Sequence, residues 1–256
     1  YTQVANTSFS YLLTVQEIKD RFPSNDISSY PRLITITLVA NAGRELDIQA
    51  FRSNMKPTKI CIEGALDGYE WDIKETKFFN QVTLTYKDKL SNKSIKLFSN
   101  GSIQVAGCTD LFDCNRIIKQ IVLIIKEILD IEVSIDTFRI CMINANFQFN
   151  RDVNLRECAK HFSNHSMFKT TFSEDKYAAV KIKFKPAEDM KQMTASIFST
   201  GKVILSGAQT LKEIALGYST IVQYAHMHRR MLEDIQDDKK LMSSFLGFEM
   251  MVHKKW

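Results

Sequence analysis

The sequence predicts an α+β fold made of two copies of one strand-and-helix unit. Three observations carry this: a repeated turn motif, period-two strands around it, and a segment of helical period after it. Residues 97–107 read LFSNGSIQVAG and residues 197–207 read IFSTGKVILSG. Phe98, Ser99, Gly101 and Gly107 therefore recur as Phe198, Ser199, Gly201 and Gly207. A repeat of this kind is weighed before any single motif, because it sets the architecture.

Each copy reads as an extended run, a glycine turn, and an alternating strand that ends at glycine. A helical period follows. In the first copy Ile117, Ile121, Ile124 and Ile128 recur at three- and four-residue steps, and in the second Leu211, Ile214, Tyr218, Ile221, Val222 and Ala225 do so. Upstream the order also matches. Strand-like runs at 33–39 and 138–143 each precede a short helix at about 46–55 and 153–162. Further strand runs follow at 79–86 and 177–184. Periodicity alone fits core strands in any α+β domain, but matched order around both turns points to duplication.

A hydrophobic share of 45% supplies a real core and argues against wholesale disorder. The formal charge of +5 permits an anionic partner without requiring one, so the placement of the cations decides. Cys61, Cys108, Cys114, Cys141 and Cys158 are odd in number and irregular in spacing, which suits free thiols in a reducing, intracellular setting. No secretory signal is evident, and the aliphatic run at 121–125 is too short to span a bilayer. The absence of an initiator Met is expected if the sequence starts inside a longer chain.

The Phe-Ser-x-Gly-Lys turn, the aliphatic strand, the Ser-Gly-Ala step and the following helix in SIFSTGKVILSGAQTLKEI resemble the repeats of the TATA-box-binding protein family. The strand KYAAVKIKFKP upstream is similar to the family's corresponding strand, and KLFSNGSIQVAGCTD is a looser copy. The resemblance covers roughly residues 33–223. It implies a saddle: two pseudo-symmetric repeats forming one curved antiparallel sheet, with helices on the convex face. It also implies a protein that binds and bends double-stranded DNA through the minor groove, with no cofactor. The expected layout is an N-terminal extension at 1–32 and a first repeat at 33–133 with an inserted loop at about 56–76. A second repeat at 134–228 and a C-terminal helical tail at 229–256 complete it.

Strand alternation sorts the candidate interface. In the second copy Ala178, Val180, Ile182 and Phe184 form one apolar row, and Tyr177, Ala179, Lys181, Lys183 and Lys185 form the other. The next strand sends Val203 and Leu205 inward and Lys202, Ile204 and Ser206 outward. Small and apolar groups flanked by cations suit a minor groove, whose floor offers few hydrogen-bond patterns and whose walls are phosphate. A solvated charged face is the alternative. The family's DNA-kinking aromatic pairs fall on Phe79 with Phe98, and on Tyr177 with Phe198; Phe78 can replace Phe79 if the alignment slips. The family's paired groove asparagines fall on Thr35 and Met142, so recognition of A·T-rich sequence by shape is expected rather than direct base reading. Gln81, Lys96 and Gln104 leave open a rival reading, an interaction module or transcription-factor decoy that no longer binds DNA.

The family's acidic contact for a factor-B-like initiation protein falls on Glu174 and Asp175, and RNA polymerase is the further partner implied. Those two residues also suit a polar hairpin turn. Cys158, His161 and His165 lack an evident fourth ligand, so no metal is expected. His226 and His228 do not share a helical face. Nothing resembles a P-loop, a dinucleotide fingerprint, a nucleophile elbow or a carboxylate pair, so neither an enzyme, a small-molecule substrate nor a membrane partner is expected. The run FLGFEMMV at 245–252 could dock on the body or on a partner.

Overall fold

The structure is a computed structural model that describes residues 28–55, 70–88 and 92–232. Most of the expected N-terminal extension, residues 56–69 of the expected inserted loop, Cys61, and the tail after 232 with its apolar run lie outside the described residues.

The fold is α+β, with ten strands and four α-helices among the described residues. In order these are β1 (Arg32–Asn41), α1 (Ile48–Asn54), β2 (Glu70–Lys74), β3 (Gln81–Lys87), β4 (Asn92–Phe98), β5 (Ser102–Cys108) and α2 (Leu111–Leu129). They continue as β6 (Phe138–Gln148), α3 (Leu155–Ser163), β7 (Lys169–Ser173), β8 (Tyr177–Phe184), β9 (Met193–Phe198), β10 (Lys202–Ala208) and α4 (Leu211–Met227). Arg229–Met231 add one 3-10 turn. Two compact units divide the described chain, one over residues 33–144 and one over 28–32 with 145–232.

In the first unit the strand order is β2-β3-β4-β5-β1-β6, with antiparallel hairpins. Alternation buries Val82, Leu84, Ile95, Leu97, Ile103 and Val105 against Phe51 of α1 and Ile117, Ile121 and Ile124 of α2. Asp47 caps α1 and Asp110 caps α2, each accepting the backbone N–H three residues on at 2.8 Å. The second unit repeats this with order β6-β10-β9-β8-β7. Val180, Ile182, Ile197, Val203 and Leu205 face Phe162 of α3 and Tyr218 and Ile221 of α4. Asn154 caps α3, and Thr210 with Glu213 forms a capping box on α4.

The end of the expected inserted loop is instead strand β2. Its Trp71 is fully buried, edge-on to Tyr86 with ring centroids 4.8 Å apart. Strand β7 is its counterpart. Both are five-residue edge strands with mixed polar sequences, EWDIK and KTTFS, whose alternation is too short to register. Another departure lies at the start of β8, where Ala178 is exposed and Ala179 is buried. Lys181 reaches back over the Tyr177 ring, with Nζ 4.0 Å from its centroid, so these two side chains bridge over Ala179 between them.

The repeated Phe-Ser-x-Gly turn has the same partners in both units. The Ala42 and Phe149 N–H groups donate to the carbonyls of Gly101 and Gly201 at 2.9 and 2.8 Å. Leu46 and Val153 donate to the carbonyls of Ser99 and Ser199 at 2.9 and 2.7 Å. The loop leading into the first helix of each unit is thus bonded to its hairpin turn. Gly101 and Gly201 have φ of +82° and +80°, and an added Cβ would lie 2.2 Å from the Arg44 carbonyl oxygen or 2.4 Å from that of Arg151. Gly101→Ala and Gly201→Ala should each lower stability by about 1–3 kcal/mol or more in urea titrations, through strain plus backbone collision. Gly43→Ala, with φ of +74° but its nearest contact at 4.0 Å, should cost less.

The units differ where the last helix meets the sheet. In the first, Lys93 is buried with Nζ 3.0 Å from Asp113, and Arg116 bridges Asp113 and Asp88 at 2.6 Å each. A hundred positions on, Met193 replaces Lys93, and Gly217 makes room for its thioether. Burial opposes the Asp113 charge, but the Thr109 backbone N–H, Arg116 and Lys93 outweigh it and hold the carboxyl below its ordinary range. A carboxyl held below its unfolded value of 3.8 stabilises the fold above that pH and stops doing so as pH falls through the folded value. Asp113→Asn should therefore cost about 3–5 kcal/mol at neutral pH by leaving Lys93 without its nearest carboxylate. In urea titrations the gap to the parent should shrink below about pH 4.

Candidate nucleic-acid interface

Each unit carries its helices on the apolar face, so the opposite face is described for each in turn. In the second unit that face is a lattice fixed by register. Lys169 pairs with Lys183, and Lys183 with Thr194, which in turn lies opposite Ser206. One level along, Thr171, Lys181, Ser196 and Ile204 are neighbours in the same way. Lys181, Lys183, Lys185 and Lys202 are all exposed, while Ile204 and Ser206 are half-buried. The register therefore brings Lys181 and Lys183 together with small and apolar residues on one surface; Lys202 starts the strand of Ile204 and Ser206, and Lys185 follows the end of β8. It adds Lys169, which stands directly across from Lys183. Like charges in opposed positions destabilise a sheet unless an anion lies between them. Lys169 was not legible because β7 itself was not.

At the turn end of this face Tyr177 and Phe198 are neighbours, with ring centroids 6.0 Å apart. Tyr177 is 42% exposed and Phe198 is half-buried, whereas the adjacent Ile197 is fully buried. Lys181 covers one face of the Tyr177 ring, a cation–π contact.

The first unit has the same register and different chemistry. Asp72, Thr85, Ser94 and Ala106 occupy the level of Lys169, Lys183, Thr194 and Ser206. Lys74, Thr83, Lys96 and Gln104 make the next level. Gln81 pairs with Phe98 as Ala179 pairs with Phe198, so Phe79 rather than Phe78 is the counterpart of Tyr177. Phe79 is 81% exposed. It lies in the turn before β3 instead of on the strand, because helix α1 takes up the turn's carbonyls. Gln49 donates to the Phe79 carbonyl at 3.1 Å, and Arg52 donates to those of Phe78 and Gln81. Phe98 is half-buried beside fully buried Leu97. Thr35 accepts a hydrogen bond from Asn144 at 3.1 Å on strands β1 and β6.

Glu174 and Asp175 sit exposed in the β7–β8 turn. Glu174 forms a two-point ion pair with Arg156 of α3, with contacts of 2.5 and 3.0 Å. The Arg156 guanidinium holds the Glu174 carboxyl below its ordinary range. Arg156 lies two residues after its helix cap, as Gln49 does, so both units tie a first-turn helix side chain to the turn at or just before the exposed aromatic. This tie was invisible in the sequence, since its partners lie in separate elements.

Cys158 is buried, and burial pushes its thiol up to about 12. The His161 ring stacks on His228 at 5.0 Å, and His165 packs edge-on to Tyr224 at 5.7 Å. These side chains belong to the aromatic packing between α3 and α4. Among the described residues no group of three or more His, Cys, Asp or Glu is placed to hold a metal ion. The described cysteines are free, and no described helix is long and apolar enough to cross a membrane.

The fold is TATA-binding-protein-like. The solved structure of Methanococcus jannaschii TBP matches with a TM-score of 0.56 over 78% of this chain and 99% of that one, at 14% identity. Residues 137–224, most of the second repeat, match the family model for transcription factor TFIID (or TATA-binding protein, TBP). A TATA-box-binding protein-like protein of Acanthamoeba polyphaga mimivirus is 27% identical over 231 residues, covering 73% of this chain. The chain spans 62% of the length of that relative.

The exposures separate surface aromatics from core. Phe79→Ala should change thermal stability by no more than about 0.5 kcal/mol. Leu97→Ala and Ile197→Ala should each cost about 2–5 kcal/mol in the same melting experiment.

Proposed function

We propose that this chain is a DNA-binding general transcription initiation factor that binds and bends A·T-rich or TATA promoter DNA through the minor groove. One observation carries the reading: the helix-free face of the second unit joins an exposed lysine lattice to the Tyr177–Phe198 aromatic pair. The lysines answer phosphate walls, and the aromatics answer a partly unstacked base step. Phe98 and Phe79 serve the same purpose in the first unit. The family match over the second repeat supports this reading. Glu174 and Asp175 are the proposed contact for a basic, factor-B-like initiation protein, which would compete with Arg156 for Glu174, and RNA polymerase is recruited in turn.

The similarity to a mimivirus protein supports a viral origin, as does a resemblance, in the looser first repeat and added segments, to the TATA-binding-protein-like protein of African swine fever virus. The place of action is then the host cytoplasm, where viral replication takes place; for a cellular protein it is the nucleus. The mixed lattice of the first unit, which sets Asp72, Thr85 and Gln104 among Lys74 and Lys96, favours a second reading, an interaction module or transcription-factor decoy that has lost DNA binding.

Gel-shift titrations with A·T-rich and G·C-rich duplexes across salt decide between the two. The expected result is salt-sensitive binding that prefers A·T-rich duplex. Each change of Lys181, Lys183, Lys185 or Lys202 to Ala should weaken binding to all sequences and reduce the salt slope by about one unit. Phe98→Ala and Phe198→Ala should reduce fluorescence-detected bending and cost a few kcal/mol of binding, on the order of one unstacked step each. A quadruple lysine variant that binds as tightly as the parent sinks the DNA reading.

A further inference from the structure

Helix α1 is fixed by one side and works with another. Ile48, Phe51 and Met55 follow at three- and four-residue steps, and all are buried. Gln49 and Arg52, also three apart, share the flank beside the turn that leads into β3. Gln49 donates to the Phe79 carbonyl at 3.1 Å, and Arg52 donates to the carbonyls of Phe78 and Gln81. The Asn80 carbonyl accepts the Ser99 N–H at 3.0 Å, and the Phe78 N–H donates to the Thr76 hydroxyl at 3.0 Å. Every carbonyl from Phe78 to Gln81 is therefore held by a group from outside the turn.

The rings on this turn nevertheless stay in water, with Phe78 63% and Phe79 81% exposed. On a free turn two adjacent rings would fold onto nearby apolar surface, since so much exposed apolar area is unfavourable. The held backbone prevents this. Strand pairing does not place them, because β3 begins at Gln81.

The second unit solves the same problem differently. Tyr177 lies on β8 opposite Ser173, so the ladder sets its position. Counted from the helix caps, Arg156 stands where Gln49 does, and Ala159 stands where Arg52 does. Ala159 has no side-chain donor. The arginine is thus present in the unit whose aromatic lies off the ladder, and absent from the unit whose aromatic lies on it.

We propose that Arg52, seconded by Gln49, is a positioning residue for Phe79, presetting the turn so that the ring meets a base step already ordered. This rests on the minor-groove reading given above. The guanidinium is engaged by carbonyls of its own chain, so it acts through the ring and not as a phosphate contact. Ordering one free residue on binding costs on the order of tenfold in affinity, and a preset turn avoids that cost. The first unit has the greater need of it, since its lattice sets Asp72 among its lysines.

A double-variant cycle on the full chain, titrated with an A·T-rich duplex, tests the assignment. Arg52→Met keeps a long side chain and removes the donors. It should weaken binding by about 10-fold and reduce fluorescence-detected bending, with the salt slope unchanged. In a Phe79→Ala background the same change should weaken binding by less than about twofold, because the ring through which it acts is gone. Gln49→Ala, at an exposed position, should repeat the pattern at about threefold, and it carries the test if Arg52→Met does not fold. An equal loss in both backgrounds overturns the assignment. So does a salt slope lower by about one unit, which marks a phosphate contact. In both cases the parent still binds, and the DNA reading stands. A parent that binds no duplex overturns the DNA reading, and the positioning role falls with it.

Discussion

The geometry of each unit hangs on a pair of backbone hydrogen bonds. The loop ahead of the first helix donates two N–H groups to a hairpin turn far along the chain, at the carbonyls of Ser99 and Gly101 or of Ser199 and Gly201. Helix and hairpin are then fixed relative to each other before any side chain is considered. The approach is close enough that the turn residue must lack a Cβ and must accept positive φ, and glycine meets both demands. Once the helix is set on one face of the hairpin, alternation commits the other face to whatever remains. The Phe of the motif emerges on that other face, directly beside the bonded turn. One constraint thus explains both why the motif recurs and why its aromatic is placed where a ligand could meet it.

What remains on the helix-free face is not the same in the two units. Identical registers deliver Lys169 and Lys183 in one and Asp72 and Thr85 in the other. Electrostatic attraction to a polyanion is therefore stronger in the second unit, while the first sets Lys74 and Lys96 against Asp72 among hydroxyl and amide groups. The aromatic pairs differ as well. Phe79 stands on a turn whose carbonyls are held by Gln49 and Arg52, and Tyr177 stands with its ring half-covered by Lys181. A ring already bearing a cation must either carry that charge toward phosphate or shed it.

Much of this was legible in the sequence because duplication amplifies weak signals. The helix starts at about 46 and 153 and the strand at 177–184 were each read from short stretches that agreed with a second copy, and the outward lysines were read from alternation within the second copy alone. The edge strands β2 and β7 were not, since five residues of mixed polarity give too few alternations, and with them went Trp71 as core and Lys169 as face. Ala179 was sorted to the correct row, yet its burial came from two long neighbours closing over it. Contacts between distant elements left no trace at all. The Arg156–Glu174 pair and the buried Lys93 belong to this group, because a lysine in a strand reads as solvent-facing until its carboxylates are found across the fold.

That buried lysine has a consequence for how the chain can change. The joint of helix to sheet is built from Lys93, Asp88, Asp113 and Arg116 in the first unit, and from Met193 and Gly217 in the second. Each set is sound when complete. A single exchange between copies strands a charge without its counter-charge or presses a side chain against Met193, and both are costly. The two halves share one pattern, yet exchanging these residues between them one at a time would pass through destabilised intermediates. Their divergence is therefore self-locking: once the joints had parted ways, the copies were free to specialise and no longer free to merge.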